Sequence, residues 1–144
     1  MVEEGSSILE KLGVDIGFKT THIKTITEAD INSFADVSGD FNPVHMNEEY
    51  AKKTLFGGRI AHGVIALGLL SAAMAKLPGL SVFLSQSVKF LKPVRIGDTI
   101  TAIAEVTETR PDKGIVTLKN SCVNQNGELV VDGEAIVRLY PAPS

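Results

Sequence analysis

The chain has 144 residues, of which 44% are apolar, and a formal net charge of −3. This length favours one domain, predicted here to span residues 1–144, with a sizeable hydrophobic core. A small negative charge without runs of like charge disfavours nucleic acid or an anionic membrane as the main partner. Cys122 is the only cysteine, which excludes an internal disulfide and a cysteine-based metal site.

Two segments bear on where the protein resides. The first residues, MVEEGSSILEKLG, are mixed and acidic, unlike a secretory leader. The longest uncharged apolar run, residues 63–75, is shorter than the roughly 20 residues that a membrane-spanning helix needs. We therefore expect a soluble, cytoplasmic protein.

The N-terminal part of the chain predicts one strand and one helix. Residues 1–12 are expected to be loosely ordered, and residues 16–26 alternate in polarity as strands do. Thr27 and Asp30 have the spacing of a helix-capping box, and Gly39 can end the helix that follows.

The segment SGDFNPVHMN, residues 38–47, follows that helix. Pro43 disfavours helical angles at Asn42, so this segment is predicted to be a loop. Asn47 can then cap a short second helix. A third helix is predicted over roughly residues 63 to 76, and because it is apolar nearly all round, it should be buried.

From Leu80 onward the hydrophobic pattern changes to a period of two, which predicts strands. The predicted strands lie within residues 81–94, 98–109, 114–125 and 128–140. Short connections join them, including turns at PDKG and NQNG, and this succession indicates an antiparallel meander.

One long apolar helix and a set of antiparallel strands predict an α+β protein in which a curved sheet wraps around a central buried helix. This architecture is the hot-dog fold. A sheet this small cannot easily cover the helix and both of its own edges, so we expect a homodimer, or a higher oligomer built from it.

Asp40 and His45 are the first candidates for chemistry. Aspartate has a reference pKa of about 3.9 and histidine of about 6.5, so near neutral pH one is a ready base and the other can titrate. A carboxylate and an imidazole on one short loop can share a water molecule, with Asn42 and Pro43 fixing the loop. A turn without catalytic function is the alternative explanation of the same residues.

Gly63 and Ser71 are the second pair of candidates. Gly63 opens the predicted third helix, where backbone amides have no partner inside the helix and favour a developing negative charge. Ser71 lies eight positions further on, near the same helix face. With Asp40 and His45, these residues suit either addition of water to an unsaturated carbonyl compound or attack of water on a thioester.

The segment from Ser38 to Ser71 resembles the MaoC-like, or hydratase 2, family of (R)-specific enoyl-CoA hydratases. The family motif D-x-N-P-x-H is present as Asp40, Asn42, Pro43 and His45, and the following H-G as His62 and Gly63. The later segment KFLKPVRIGDTI, residues 89–100, also matches the family pattern. The resemblance extends over roughly residues 20 to 140.

The resemblance implies a hot-dog homodimer that adds water reversibly to trans-2-enoyl thioesters of coenzyme A or an acyl carrier protein. It implies that Asp40 and His45 bind and activate the water, and that the amide of Gly63 binds the thioester carbonyl. Ser71 and Asn42 help to position the substrate and water. The thioester is a substrate, and no metal or other cofactor is expected.

Four other residues, and the function itself, have more than one explanation. His62 is expected to brace the loop that carries Gly63. Lys89, Lys92 and Arg95 form the densest basic cluster and could contact coenzyme A phosphates, although a solvated strand face and turn is the default explanation of these residues. The alternative functions are a hot-dog acyl-CoA thioesterase and a non-catalytic acyl-thioester-binding subunit of a dehydratase.

Overall fold

The computed structural model describes residues 7–144, which form five helices and five strands. The helices are α1 Ile8–Leu12, α2 Glu28–Ser38, α3 Pro43–Met46, α4 Glu48–Lys52 and α5 Ile65–Met74. The strands are β1 Lys19–Thr25, β2 Leu80–Phe90, β3 Thr99–Arg110, β4 Ile115–Val123 and β5 Leu129–Tyr140. Within these residues, every helix is too short or too polar to cross a membrane.

All five strands form one antiparallel sheet in the order β1-β3-β4-β5-β2. The predicted meander is confirmed for β3, β4 and β5, which pair in the order of the sequence. It is wrong for β2, which pairs with β5 at the far edge of the sheet and not with β3. The connection between β2 and β3, residues 91–98, is too long for a tight hairpin. It takes the chain from the edge strand β2 to β3, which lies next to the opposite edge strand β1.

Helix α5 lies against one face of the sheet and packs mainly on β1, β3 and β4. Its Ala66, Leu70 and Ala73 are buried at this contact. On β3, Ala102 and Ala104 are fully buried, and their small side chains let the helix approach closely. Burying one leucine side chain stabilises the fold by about 1.5–3 kcal/mol. The predicted hot-dog arrangement is therefore confirmed.

The prediction that this helix is buried is wrong for one of its faces in the single chain. Val64, Gly68, Ser71 and Ala75 are exposed. They are three or four positions apart, so they form one stripe along the helix. The stripe carries no charged side chain, although it borders solvent in the single chain.

Helix α2 confirms the predicted capping box. The Thr27 side chain accepts a hydrogen bond from the Asp30 backbone N–H, and the Asp30 carboxylate accepts one from the Thr27 N–H. Gly39 ends the helix with a φ of 80°, a left-handed conformation that glycine adopts without steric cost. This helix end carries the chain directly into Asp40. The predicted cap of the next helix is also confirmed, because the Asn47 side chain accepts a hydrogen bond at the start of α4.

Two segments predicted to be irregular are helical. Residues 8–12 form α1, whose Leu9 is buried, so they are not loosely ordered; the preceding residues of that prediction, 1–6, lie outside the described part of the chain. The predicted loop contains the single-turn helix α3. Pro43 is tolerated there because it occupies the first helical position, and the Asn42 side chain accepts a hydrogen bond from Val44 N–H.

Candidate active site

A cavity of about 480 Å³ opens beside the N-terminal end of α5. Its polar part is lined by Asp40, His45, His62 and Gly63. Much of the remaining wall is apolar and includes Phe56, Phe90, Val94 and Val131. The fold therefore brings the predicted acid–base pair and the predicted glycine to one cavity.

Asp40 and His45 reach the cavity from a tight turn and the helix that follows it. The Asp40 carboxylate accepts a hydrogen bond from the Asn42 backbone N–H at 3.2 Å, which holds the turn. His45 lies in α3 and is 9% exposed. A carboxylate oxygen of Asp40 and a ring nitrogen of His45 lie within 4.8 Å of each other, a separation that one water molecule can bridge.

The environment of His45 determines its tautomer and its charge. Its Nδ1 lies 2.8 Å from the Ile60 carbonyl oxygen, which can only accept, so Nδ1 carries the hydrogen and Nε2 remains an acceptor. The pKa of His45 is lowered, chiefly by burial; the Ile60 carbonyl and Asp40 oppose the change, and His62 adds to it. Because the ordinary value is about 6.5, His45 is neutral at pH 7.

Gly63 lies two residues before α5, which begins at Ile65, so the predicted helix started too early. The Gly63 carbonyl accepts a hydrogen bond from Ala66 N–H, whereas the Gly63 N–H donates none within residues 7–144. A Cβ atom at this position would lie 3.0 Å from the Phe90 ring. Glycine therefore leaves its amide unpaired at a cavity wall where a larger side chain would press against Phe90.

Comparison with known proteins identifies the family. Residues 13–126 match the family described as MaoC like domain. The chain belongs to the MaoC-like family. The resemblance recognised in the motifs around Asp40 and Gly63 is therefore confirmed.

Individual relatives of this MaoC-like chain have named activities. It is 48% identical to an (R)-specific enoyl-CoA hydratase of Rhodospirillum rubrum, and the 121 aligned residues cover 83% of each chain. It is 40% identical to a 3-hydroxybutyryl-CoA dehydratase of Methylorubrum extorquens, over 88% of this chain and 81% of the relative. The structure of an (R)-hydratase from Aeromonas caviae matches it with a TM-score of 0.84 and 40% identity, over 88% of this chain and 98% of that one.

Two predicted substrate-positioning residues of the MaoC-like chain lie outside the cavity lining. The Asn42 side chain is exposed and caps α3. Ser71 is exposed on α5, in the same stripe as Gly68. Neither residue lines the cavity of the single chain, and their roles toward a substrate stay predictions.

The three basic residues of the predicted phosphate cluster are separated in the structure. Lys92 lines the cavity and forms an ion pair with Glu128. Lys92 and Arg95 also line a polar depression of about 240 Å³. Lys89 is exposed on β2 and lines neither of these two spaces. The cluster therefore divides into two residues that share the polar depression and one residue apart from it.

Asp40, His45 and His62 are also the one group of potential metal-ligating side chains found among residues 7–144. Carboxylate and imidazole groups are common metal ligands. However, His45 Nδ1 and His62 Nε2 are each hydrogen-bonded to a backbone carbonyl, which leaves one nitrogen free on each ring. The sequence-based expectation of a metal-free site stays a prediction.

Arg59 is a residue of the site that the sequence analysis did not identify. Its side chain is 10% exposed, and its Nε–H donates to the His45 carbonyl oxygen at 2.6 Å. Its Nη1 lies 2.9 Å from the Glu28 carboxylate on α2. Arg59 thus connects the C-terminal end of α3 with the start of α2. A single arginine in the otherwise uncharged segment LFGGRIAHG is the only sequence signal for this role.

Replacing Arg59 by alanine should lower the free energy of unfolding by about 1–3 kcal/mol, because the His45 carbonyl loses its partner in a mostly buried place. The ion pair itself should matter less, since the Glu28 side chain is 65% exposed and such pairs contribute about 0–1 kcal/mol. Urea unfolding at one protein concentration measures both effects.

Two variants serve as controls for Arg59→Ala. Glu28→Gln removes the ion pair but keeps the hydrogen bond to His45, and Arg110→Ala removes an exposed arginine from β3. An Arg59→Ala protein as stable as the Arg110→Ala protein would contradict the role assigned to this side chain.

Proposed function

We propose that this chain catalyses the reversible addition of water to trans-2-enoyl-coenzyme A thioesters, which yields (R)-3-hydroxyacyl thioesters. The observation that carries the proposal is the shared cavity of Asp40, His45 and the unpaired Gly63 amide. The proposal is supported by the 48% identity to an (R)-specific enoyl-CoA hydratase and by the (R)-hydratase from Aeromonas caviae that matches in structure.

In the proposed reaction, a water molecule bridges the Asp40 carboxylate and His45 Nε2. Both are acceptors near neutral pH, so each can take one hydrogen bond from the water and fix its lone pair toward the substrate. Asp40 acts as the main base as the water oxygen attacks the β carbon. His45 orients the water and participates in proton transfer. The proton that the acid–base pair takes from the water is then delivered to the α carbon, so that one water is added across the double bond.

Attack at the β carbon moves electrons toward the thioester carbonyl oxygen, which becomes enolate-like and negative. The Gly63 N–H is placed at the cavity as a donor to that oxygen. A preorganised donor of this kind stabilises developing charge more than the ground state, and its loss typically lowers the rate by about 10²–10³-fold. The apolar walls of the cavity exclude water and strengthen this interaction.

The same proposal assigns the acyl carrier. We propose coenzyme A, with its phosphates near Lys92 and Arg95 at the polar depression beside the cavity. The ion pair between Lys92 and Glu128 would open when a phosphate replaces the carboxylate. The names of the Rhodospirillum and Methylorubrum relatives, both of which include CoA, support this carrier.

We also propose that the active form is a homodimer. The edge strand β2 exposes apolar side chains, including Val82 at 37%, Phe83 at 46% and Leu84 at 51%. The exposed stripe of α5 is likewise free of charge and contains Ser71. A second copy of the chain that covered these surfaces would bury the unpaired strand edge and bring new residues next to Ser71.

The proposed activity predicts loss of conjugated double-bond absorbance, without release of free thiol, when a short trans-2-enoyl-CoA is added. Asp40→Asn and His45→Gln should each lower turnover by about 10²–10⁴-fold, because each removes an acid–base group that contacts the water. Circular dichroism should show that both variants remain folded.

The matched controls are Asp36→Asn on the exposed face of α2 and His22→Gln on β1, which lie outside the cavity. Both should keep wild-type turnover. Thiol release by the wild type would indicate the thioesterase alternative. Unchanged double-bond absorbance and thiol would indicate the binding-subunit alternative, and unchanged rates in both active-site variants would remove the assignment.

The role of Gly63 predicts a coupled pair of substitutions. Gly63→Ala should lower kcat on the order of 10²-fold, because its Cβ would meet the Phe90 ring at 3.0 Å and displace the amide from its position. Adding Phe90→Ala removes the obstacle, so the double variant should be faster than Gly63→Ala alone. A double-mutant cycle in turnover with no coupling between the two positions would contradict this explanation.

The proposed dimer is tested by a charge on the edge strand. Light scattering should give the wild type twice the single-chain mass of 15.4 kDa, and Leu84→Lys should shift it to the single-chain mass because a lysine cannot be buried there without a partner. Ile23→Lys, on the opposite edge strand β1, is the matched control and should stay dimeric, although Ile23 is 61% exposed. Dissociation by Ile23→Lys alone would place the interface at the other edge.

A further inference from the structure

His62 contacts both residues of the proposed acid–base pair from one side. Its Nε2–H donates to the Asp40 backbone carbonyl at 2.9 Å. Its ring centroid lies 4.0 Å from that of His45, with 32° between the ring planes, and Phe34 of α2 packs at 4.7 Å. With 1% of its surface exposed, the His62 ring is enclosed by these contacts.

The hydrogen bond to Asp40 also fixes the tautomer of His62. A carbonyl oxygen only accepts, so Nε2 carries the hydrogen, and in the neutral ring Nδ1 is the acceptor nitrogen. Nδ1 is buried and has no hydrogen-bond partner within residues 7–144. The residue that follows is Gly63, so the backbone that carries this ring also carries the amide proposed to bind the thioester.

Three groups in addition to His62 contact or approach His45. A carboxylate oxygen of Asp40 lies within 4.8 Å of a His45 ring nitrogen, and the Ile60 carbonyl accepts from Nδ1. The Arg59 guanidinium donates to the His45 carbonyl, and Lys92 lines the same cavity. Burial is the largest cause of the lowered pKa of His45, and the His62 ring packs against this buried side chain.

We infer that His62 is a positioning residue: its hydrogen bond fixes the Asp40 backbone, and its ring fixes the plane of His45, so that both side chains meet one water molecule. The inference rests on the proposed hydration. It gives His62 a role in the acid–base pair itself, beyond bracing the loop that carries Gly63. His62 contacts neither the water nor the thioester in this role.

Two substitutions separate the two contacts that His62 makes. His62→Phe keeps an aromatic ring against His45 and Phe34 but removes the donor to Asp40. His62→Gln keeps an amide donor that can reach the Asp40 carbonyl but removes the ring that packs against His45. His22→Gln is the matched control, because it removes a histidine from β1, away from the cavity.

The experiment combines NMR titration of the ¹³C-labelled histidines in the full chain with pH profiles of kcat and KM on a short trans-2-enoyl-CoA. In the wild type, kcat should fall as the pH drops through the lowered pKa of His45. His62→Gln should raise that pKa and move the acid limb to higher pH, because it removes a ring packed against the buried His45, whereas His62→Phe keeps the ring and should leave the acid limb in place. His62→Phe should lower kcat by about 10–10²-fold with little change in KM, because the pair is misplaced. His62→Gln should recover part of that loss.

Three outcomes would overturn the inference. The first is an unchanged His45 titration and kcat in both variants while the wild type turns over, which leaves the proposed function intact. The second is a loss of stability in both variants with titration and kcat unchanged, which shows a structural role only. The third is no hydration by the wild type at any pH, which removes the proposed function and this inference with it.

Discussion

Five residues in succession, Arg59 to Gly63, connect almost every part of the candidate site. Arg59 and Ile60 hold α3 through three hydrogen bonds. The Arg59 Nε–H donates to the His45 carbonyl, the Ile60 carbonyl accepts from the His45 ring, and the Ile60 N–H donates to the Val44 carbonyl. The next residue, Ala61, donates its N–H to the Val94 carbonyl at 2.7 Å, which attaches the segment to the connection between β2 and β3. The site therefore depends on one segment that is itself held by the connection between β2 and β3.

His62 and Gly63, the other two residues of this segment, connect it to the groups proposed to bind water and the thioester. His62 donates a hydrogen bond to the Asp40 backbone carbonyl. The Gly63 N–H has no hydrogen-bond acceptor within residues 7–144. The residue that holds the Asp40 backbone and the residue proposed to bind the thioester carbonyl are consequently adjacent, so the hydrogen bonds of one segment fix the separation of the two proposed sites. Such preorganisation matters because catalytic geometry that is off by about 1 Å can cost about 10²-fold in rate.

Much of this fold could be predicted from local signals. The capping box of Thr27 and Asp30 and the cap at Asn47 are interactions between residues three apart, and the alternation of β3 follows from one buried face, so the sequence contains them directly. The place of β2 could not be predicted in this way. Its pairing with β5 joins residues that are far apart in sequence, and the connection after β2 allows either edge of the sheet.

The candidate site divides along the same line. The sequence predicts Asp40, His45 and Gly63 because they belong to recognisable motifs. They share a cavity because the hot-dog fold, which the same motifs indicate, brings them together. Arg59 was not identified, because its contacts reach 14 and 31 positions along the chain and leave no local pattern. Exposure of one face of α5 was not predicted either, since an apolar helix gives the same pattern whether its own chain or a second copy covers it.

If the segment 59–63 positions a water and a thioester carbonyl in one cavity, a crystal structure of the protein with a non-hydratable trans-2-enoyl thioester analogue should show both. The analogue's carbonyl oxygen should lie within hydrogen-bond distance of the Gly63 N–H, and its β carbon should face a water held by Asp40 and His45. An analogue seated elsewhere, such as the apolar groove of about 390 Å³ between α2 and α5, with the Gly63 amide still unpaired, would contradict this role of the segment.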